Sequence, residues 1–310
     1  MSPRRTPLVL IGLVLLTLAS FALARHWGSG GFGLEVEPAI ALWRMDRAWA
    51  AFIVGGLLAL AGCLMQLLLR NPLADPYVLG TSGGAAVGVL TALLLGMTEF
   101  GRHLAAFAGA LLSIGLVFGL SARRFEPLRL LLTGIVVAAG WGALVSLGLA
   151  LTPDRQLPGL MFWLLGEIGE GTPNALGLGV LATGLALALF QARGLDLLRL
   201  GDAQAALLGL PVARLRLGLY FLAAALTATA VSLAGSIGFV GLVVPHLLRL
   251  AGLSHHRVLL PGAVLAGGSL LVLASVLART VAAPLQLPVG AITALIGVPL
   301  FLVLLRSTRA

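Results

Sequence analysis

From Ala48 to Leu69 the chain carries no charged side chain, and runs of this kind recur almost to its last residues. About 20 consecutive apolar residues suffice to cross the hydrocarbon core of a bilayer as a helix. Such runs fall at about 8–24, 48–69, 78–98, 103–122, 128–151, 174–192, 215–235, 237–248, 258–278 and 287–305. They are solid rather than alternating, which excludes the two-residue period of a transmembrane β-barrel. Of 310 residues, 59% are hydrophobic and only 10% charged. A soluble domain carries about 25% charged residues, so water is the wrong solvent for this chain. The expectation is an all-α polytopic membrane protein with about ten transmembrane helices, in a single domain over residues 1–310. The eighth run is too short to cross alone and needs shielding by its neighbours.

All 20 basic residues are arginine. Without lysine the chain cannot carry a phosphate-binding P-loop or Schiff-base chemistry. The net charge of +9 fits arginines flanking membrane spans better than a nucleic-acid surface, so no nucleic-acid partner is expected. Ten crossings place both termini on one side. Arg25, Arg44, Arg47, Arg102, Arg155 and Arg279 then fall outside, and the larger remainder falls inside with both termini. That bias obeys the positive-inside rule. Trp27, Trp43, Trp49 and Trp163 gather near the outer boundary, as an interfacial aromatic belt does. The N-terminal stretch resembles a signal peptide, with Arg4 and Arg5 before an apolar core and Ala22-Leu23-Ala24 after it. The span count favours a retained first helix. Cys63 is the only cysteine and is expected to pack within a helix.

The apolar pattern is interrupted most densely at "RNPLADPYVLGTSGGAAVG", Arg70 to Gly88. Pro72 and Pro76 prevent a regular helix from running through, and Thr81-Ser82 offers hydroxyls to cap the next one. The expected result is a rigid hairpin, or hinge, that leaves the membrane briefly on the arginine-rich side. This stretch resembles a signature of the permease subunits of ABC importers for iron chelates and vitamin B12. The resemblance continues through "RMDRAWAAFIVGGLLALAGCLMQLLLRNPLADP", "LMFWLLGEIGEG", "LGDAQAALLGLPVARLRL", "AGSIGFVGLVVPHLLRLAGLSHHRVLLPG" and "LPVGAITALIGVPLFLVLL". It covers nearly the whole chain.

The resemblance implies a type II ABC-importer permease in a bacterial inner membrane, paired with a second copy of itself. It implies two separate ATP-binding subunits on the cytoplasmic face and a periplasmic substrate-binding protein outside. The chain itself would be no enzyme and hold no catalytic residue, metal or cofactor; ATP would be used by the partner subunit. Asn71, Pro72, Asp75 and Pro76 form the signature loop. Arg44, Arg47 and Arg279 match arginines that meet glutamates of the binding protein, although Asp46 stands between the first two and Ser275 replaces a frequent aspartate. By spacing alone these three are ordinary interfacial arginines. The segment from Leu195 to Arg216 fits an amphipathic loop on lipid headgroups as well as short helices broken at Gly201 and Gly209-Leu210-Pro211. The resemblance favours the helices, seated on the ATPase through Leu200, Gly201, Asp202, Ala205, Gly209, Leu210 and Pro211. A cytoplasmic gate is implied at Phe125, Glu126, Pro127 and Leu128, where a plain turn fits equally well.

Two other classes compete. A secondary transporter driven by an ion gradient needs ionisable residues near span centres, and the sequence places almost none there. An intramembrane enzyme needs a nucleophile–base pair or a metal cluster, and no pattern here suggests one. His255 and His256 are adjacent, with no acidic or cysteine partner nearby in sequence, so no metal site is expected.

Overall fold

The structure is a computed structural model describing residues 5–33, 37–121, 126–169 and 174–307. Its helices are α1 (Arg5–His26), α2 (Pro38–Leu68), α3 (Thr81–Leu94), α4 (Glu99–Leu120), α5 (Pro127–Leu151), α6 (Leu157–Leu164), α7 (Asn174–Phe190), α8 (Ala192–Leu198), α9 (Asp202–Leu207), α10 (Val212–Ala234), α11 (Val240–Leu250), α12 (His256–Thr280) and α13 (Val289–Ser307). The short 3-10 turn Pro76–Leu79 precedes α3. One antiparallel ladder, Trp27–Gly28 with Gly31–Phe32, closes the turn after α1.

Six helices are individually long and apolar enough to cross a membrane: α1, α2, α4, α5, α10 and α12. The pair α7 and α8, bent by 61°, can act as a seventh. Helices α3, α11 and α13 are apolar but shorter. The expected ten apolar segments are therefore present, while their lengths make ten an approximate count of crossings.

Helix α2 is the axis of the bundle. It is 89% buried over its most apolar stretch, against 17% for α5. Small residues make this possible, because helices in lipid associate through close backbone packing rather than a hydrophobic drive. A Cβ on Gly55 would lie 2.2 Å from the carbonyl oxygen of Gly267 in α12. One on Gly62 would lie 2.0 Å from that of Gly241 in α11. The α3–α4 crossing repeats the device, with Gly84 against Gly109. The main core joins α2, α10 and α12, and a smaller one ties α3, α4 and α6 to Ala228 and Val231 of α10. Helix α1 packs on α12, where Thr17 and Ser269 hydroxyls are 2.9 Å apart. Phe21 of α1 meets Trp49 of α2 edge-on and Phe52 in a tilted pair. Cys63 is fully buried in α2, as its packing role required.

Helix α2 begins at Pro38, about ten residues earlier than the apolar run. Hydropathy misses this first stretch because Arg44, Asp46 and Arg47 interrupt it, yet nothing in it breaks a helix.

Candidate functional site

Polar groups concentrate at the two ends of the bundle, named here for Arg44 and Arg70. At the Arg70 end, α2 stops at Leu68 and Arg70 adopts a left-handed backbone, with φ 49°. Two Asx turns then set the loop. The Asn71 Oδ1 accepts from Leu73 N at 2.9 Å, and Asp75 Oδ1 accepts from Tyr77 N at 2.9 Å. Such side-chain acceptors satisfy backbone donors that a prolines-broken chain cannot pair within a helix.

The loop between α2 and α3 is packed against the bundle. Ala74, Pro76, Leu79 and Gly80 are buried. Pro76 fills the space that a side chain on Gly241 would need, and Val78 O lies against Gly134 of α5. The Tyr77 hydroxyl accepts from Ile237 N at 3.2 Å, and Leu79 O accepts from Ser113 of α4 at 3.0 Å. The loop is a wedge joining α4, α5, α10 and α11. Thr81 and Ser82 are not its caps. Gly80 is the N-cap of α3, with left-handed φ 71°, a conformation favoured by glycine. Ser82 instead donates to Ser236 at 3.1 Å.

Burial pushes the Asp75 carboxyl up from 3.8 to about 6, against the opposing hydrogen bonds from Tyr77 N and Phe239 N. A carboxyl that holds its proton more tightly when folded adds stability below its unfolded pKa and loses it as pH rises through the folded one. The thermal midpoint of the protein is therefore expected to fall as pH rises from about 4 past about 6. Asp75→Asn, which keeps an acceptor oxygen for Tyr77 N, should flatten that slope. Asp75→Ala also removes the cap for Tyr77 N, at a cost of about 1 kcal/mol at low pH that shrinks as pH rises past about 6.

Beside the loop the chain forms the two short helices α8 and α9, separated at Gly201 (φ 108°) and ended at Gly209 (φ 82°). Pro211 precedes α10 as its N-cap. Asp202 opens α9, and its Oδ1 lies 2.5 Å from Arg70 Nη2 and 2.9 Å from Arg216 Nη2. The signature loop and α9 are thus clamped by one carboxylate. Ala205 is fully buried and anchors the helix. Leu200, Leu207 and Leu208 are exposed, Leu207 at 88%, so each is left uncovered among the described residues.

The histidine pair is not isolated, as its sequence neighbourhood suggested. His256 is buried, and its Nδ1 lies 2.6 Å from Asp196 of α8; His255 approaches the same carboxylate at 3.5 Å. The fold supplies an acid from a distant segment. No group of three or more metal-ligating side chains occurs among the described residues. Of the gate residues, Phe125 lies outside the described residues. Glu126 precedes α5 in extended conformation without a side-chain cap, Pro127 starts the helix, and Leu128 is 69% exposed.

At the Arg44 end, α2 and the end of α12 bring the three arginines into one patch, and Arg279 senses the positive charge of both Arg47 and Arg44. Arg44 is half-buried and donates to Arg25 O at 3.0 Å. Arg47 is buried, donates to Gln286 Oε1 at 3.1 Å and lies 5.8 Å from the Trp43 ring centroid. Arg279 is buried and donates to Ser275 O at 3.2 Å. Asp46 turns away to accept from Asn174 at 2.6 Å, rather than neutralising the patch. Trp27, Trp43 and Trp49 are each more than a third exposed there. A cleft of about 370 Å³ on another part of the bundle is lined by Glu99, Arg102, His103, Arg155, Trp163 and Glu167. No sequence pattern signals it, since its walls come from three separated segments.

The described residues form an apolar helical bundle of the kind that crosses a membrane several times, with its polar groups gathered at its two ends. The model of the FecCD transport family matches residues 7–307; the chain belongs to that family. It is 38% identical over 305 residues to the vitamin B12 import system permease protein of Salmonella typhi, covering 96% of this chain and 93% of that protein. The Escherichia coli O9:H4 (strain HS) protein of the same name is also 38% identical, over 304 residues. Among solved structures, an inward-facing metal-chelate type ABC transporter superposes with a TM-score of 0.89 and 31% identity, over 97% of this chain and 99% of that one. PsaBC from Streptococcus pneumoniae shares the fold, with a TM-score of 0.57 and 17% identity.

Proposed function

We propose that two copies of this chain form the membrane path of an ATP-driven importer for a metal chelate, either a corrinoid or a ferric siderophore or haem. The observation that carries this reading is the 38% identity, sustained over 96% of the chain, to permeases named for vitamin B12 import. In this reading the Arg70 end and both termini face the cytoplasm of a bacterium with an inner membrane. Two ATP-binding subunits seat on α8 and α9 there and use the ATP; the permease needs no cofactor of its own. A periplasmic binding protein delivers the chelate at the Arg44 end.

The physics of the two ends supports these assignments. Leu200, Leu207 and Leu208 present apolar area that a partner groove would remove from water, while Gly201, Asp202, Ala205, Gly209, Leu210 and Pro211 fix its shape. The Arg44–Arg47–Arg279 patch is suited to carboxylates, which guanidinium groups bind through paired donors. Helices α5 and α13 expose Ile135, Val136, Leu295 and Leu302, and this surface would line the path or meet the second copy. By the family resemblance, Glu126, Pro127 and Leu128 would contribute to a cytoplasmic gate, together with Phe125, which lies outside the described residues. Transport is then a switch between outward-open and inward-open states, biased by partners that bind the two states differently.

A strain lacking this gene should lose uptake of radiolabelled cobalamin or of a ferric siderophore, offered separately, and regain it with the gene. Loss of neither, in a strain with no redundant importer, would contradict the reading. Arg44→Glu should weaken capture of the binding protein by about tenfold or more, chiefly through slower association at low salt. Surface plasmon resonance against the reconstituted permease checks this, and an unchanged rate would remove Arg44 from the docking patch.

A further inference from the structure

A second cavity, of about 360 Å³, opens at the Arg70 end between the end of α2, the α8–α9 break and the end of α11. Its wall carries Arg70, Arg199, Arg249 and His256, together with Gln66 and Gly201, and no carboxylate lines it. The charges around it do not cancel. Asp202 is shared between Arg70 and Arg216, and Asp196 is engaged by the two histidines. Among the described residues, neither Arg199 nor Arg249 has a carboxylate within ion-pair distance. Arg249 donates only to a neutral acceptor, Gln66 Oε1, and Arg199 to the Ser254 carbonyl.

Guanidinium groups held near one another without a counter-charge repel, and the cost rises where water is displaced by protein. Gln66 is fixed from the other side, because its Nε2 donates to the carbonyls of Gly241 and Leu242 at 3.2 and 3.1 Å. The amide is therefore oriented with its oxygen toward Arg249, which holds that guanidinium at the cavity wall. Arginine forks match the oxygen geometry of phosphate and bind it through several charge-assisted hydrogen bonds. Arg199 and Arg249 thus bring two positive charges to the cavity with no carboxylate among the described residues within ion-pair distance, which a dianion would offset.

We propose that this cavity is a binding site for a phosphate-class oxyanion, held by Arg199 and Arg249 with Arg70 at its rim. The bound group joins the signature loop to the short helices and to the end of α11. It would stiffen the contact between the elements that carry motion into the bundle. The site rests on geometry alone; only its assignment to the cytoplasmic side depends on the proposed function. The phosphoryl group can be free, as inorganic phosphate, or belong to an anionic lipid headgroup.

The test uses the full-length permease in nanodiscs of phosphatidylcholine, titrated calorimetrically with inorganic phosphate against chloride at matched ionic strength. Phosphate should bind to the unaltered protein and about tenfold more weakly to the Arg199→Gln/Arg249→Gln variant, the loss of about one charge-assisted hydrogen bond. Arg199→Lys/Arg249→Lys keeps the charge and should retain much of the binding, which separates loss of the site from loss of the fold. A second set of discs contains phosphatidylglycerol. If the occupant is a lipid headgroup, native mass spectrometry should find phosphatidylglycerol retained by the unaltered protein and lost from the Gln variant, with the phosphate titration suppressed. Absence of both effects, or equal effects in the unaltered and Gln proteins, would overturn the proposal. ATP-driven uptake is not read in this experiment, so a negative result leaves the transport reading intact.

Discussion

Gly62→Leu should prevent α2 from seating on α11 and sharply reduce the yield of folded permease. The Cβ alone would lie 2.0 Å from the Gly241 carbonyl oxygen and 2.7 Å from its Cα. Both obstacles are backbone, so no rotamer change relieves the clash. Even a modest overpacking error costs about 1–3 kcal/mol, and leucine adds three further carbons to a site with no room for one. The damage should spread, because Gly241 also packs on Pro76 and Gln66 hydrogen-bonds to its carbonyl. Gly115→Leu in α4 is the matched control, since a Cβ there meets nothing within 4 Å. Monodisperse yield in detergent and the thermal midpoint check the pair. Equal behaviour of the two variants would show that the close approach of α2 and α11 is not what holds the core.

Leu207→Glu should leave the permease folded and disconnect it from its ATPase. The side chain is 88% exposed, so its replacement removes almost no internal packing. In the assembled importer it would put a charge into an apolar groove, where a central anchor is worth about 2 kcal/mol or more. That corresponds to about a 30-fold loss of affinity. Co-purification with the ATPase subunit should fall by that order, and substrate-stimulated ATP hydrolysis with it, while the thermal midpoint of the permease alone stays unchanged. A variant that still binds its ATPase as tightly as the parent would move the docking surface away from α9.

What the sequence made legible follows from the range of each interaction. Long apolar runs, helix-breaking prolines and the Gly201 and Gly209 breaks act within a few residues, and each has its counterpart in the fold, although α2 starts about ten residues before its apolar run. The close approaches do not, because a glycine such as Gly62 looks the same whether its neighbour is the Gly241 carbonyl or open lipid. The partners of charged groups were hidden for the same reason. Asp196 meets His256 across sixty positions of chain, and Asp46 turns to Asn174 rather than to the arginines flanking it. Thr81 looked like a cap because hydroxyls before a helix usually are, yet a left-handed Gly80 starts α3 one residue earlier. At the candidate site, the outer arginines were found by motif resemblance; that Arg47 and Arg279 are buried while Arg44 is not required the packing of α2 against α12. The cavity had no sequence signal at all, since Arg70, Arg199 and Arg249 come from three separated segments that converge only in the fold.

In the proposed function, substrate movement through this chain is driven by ATP at a partner subunit and not by an ion gradient. The direct measurement is uptake of cobalamin and of a ferric siderophore, offered separately, into proteoliposomes containing the permease, its ATPase and the binding protein, with and without ATP, before and after ionophores dissipate the gradients. Uptake that requires ATP and survives the ionophores is the expected result. Uptake that continues without ATP and collapses with the gradient would contradict the account.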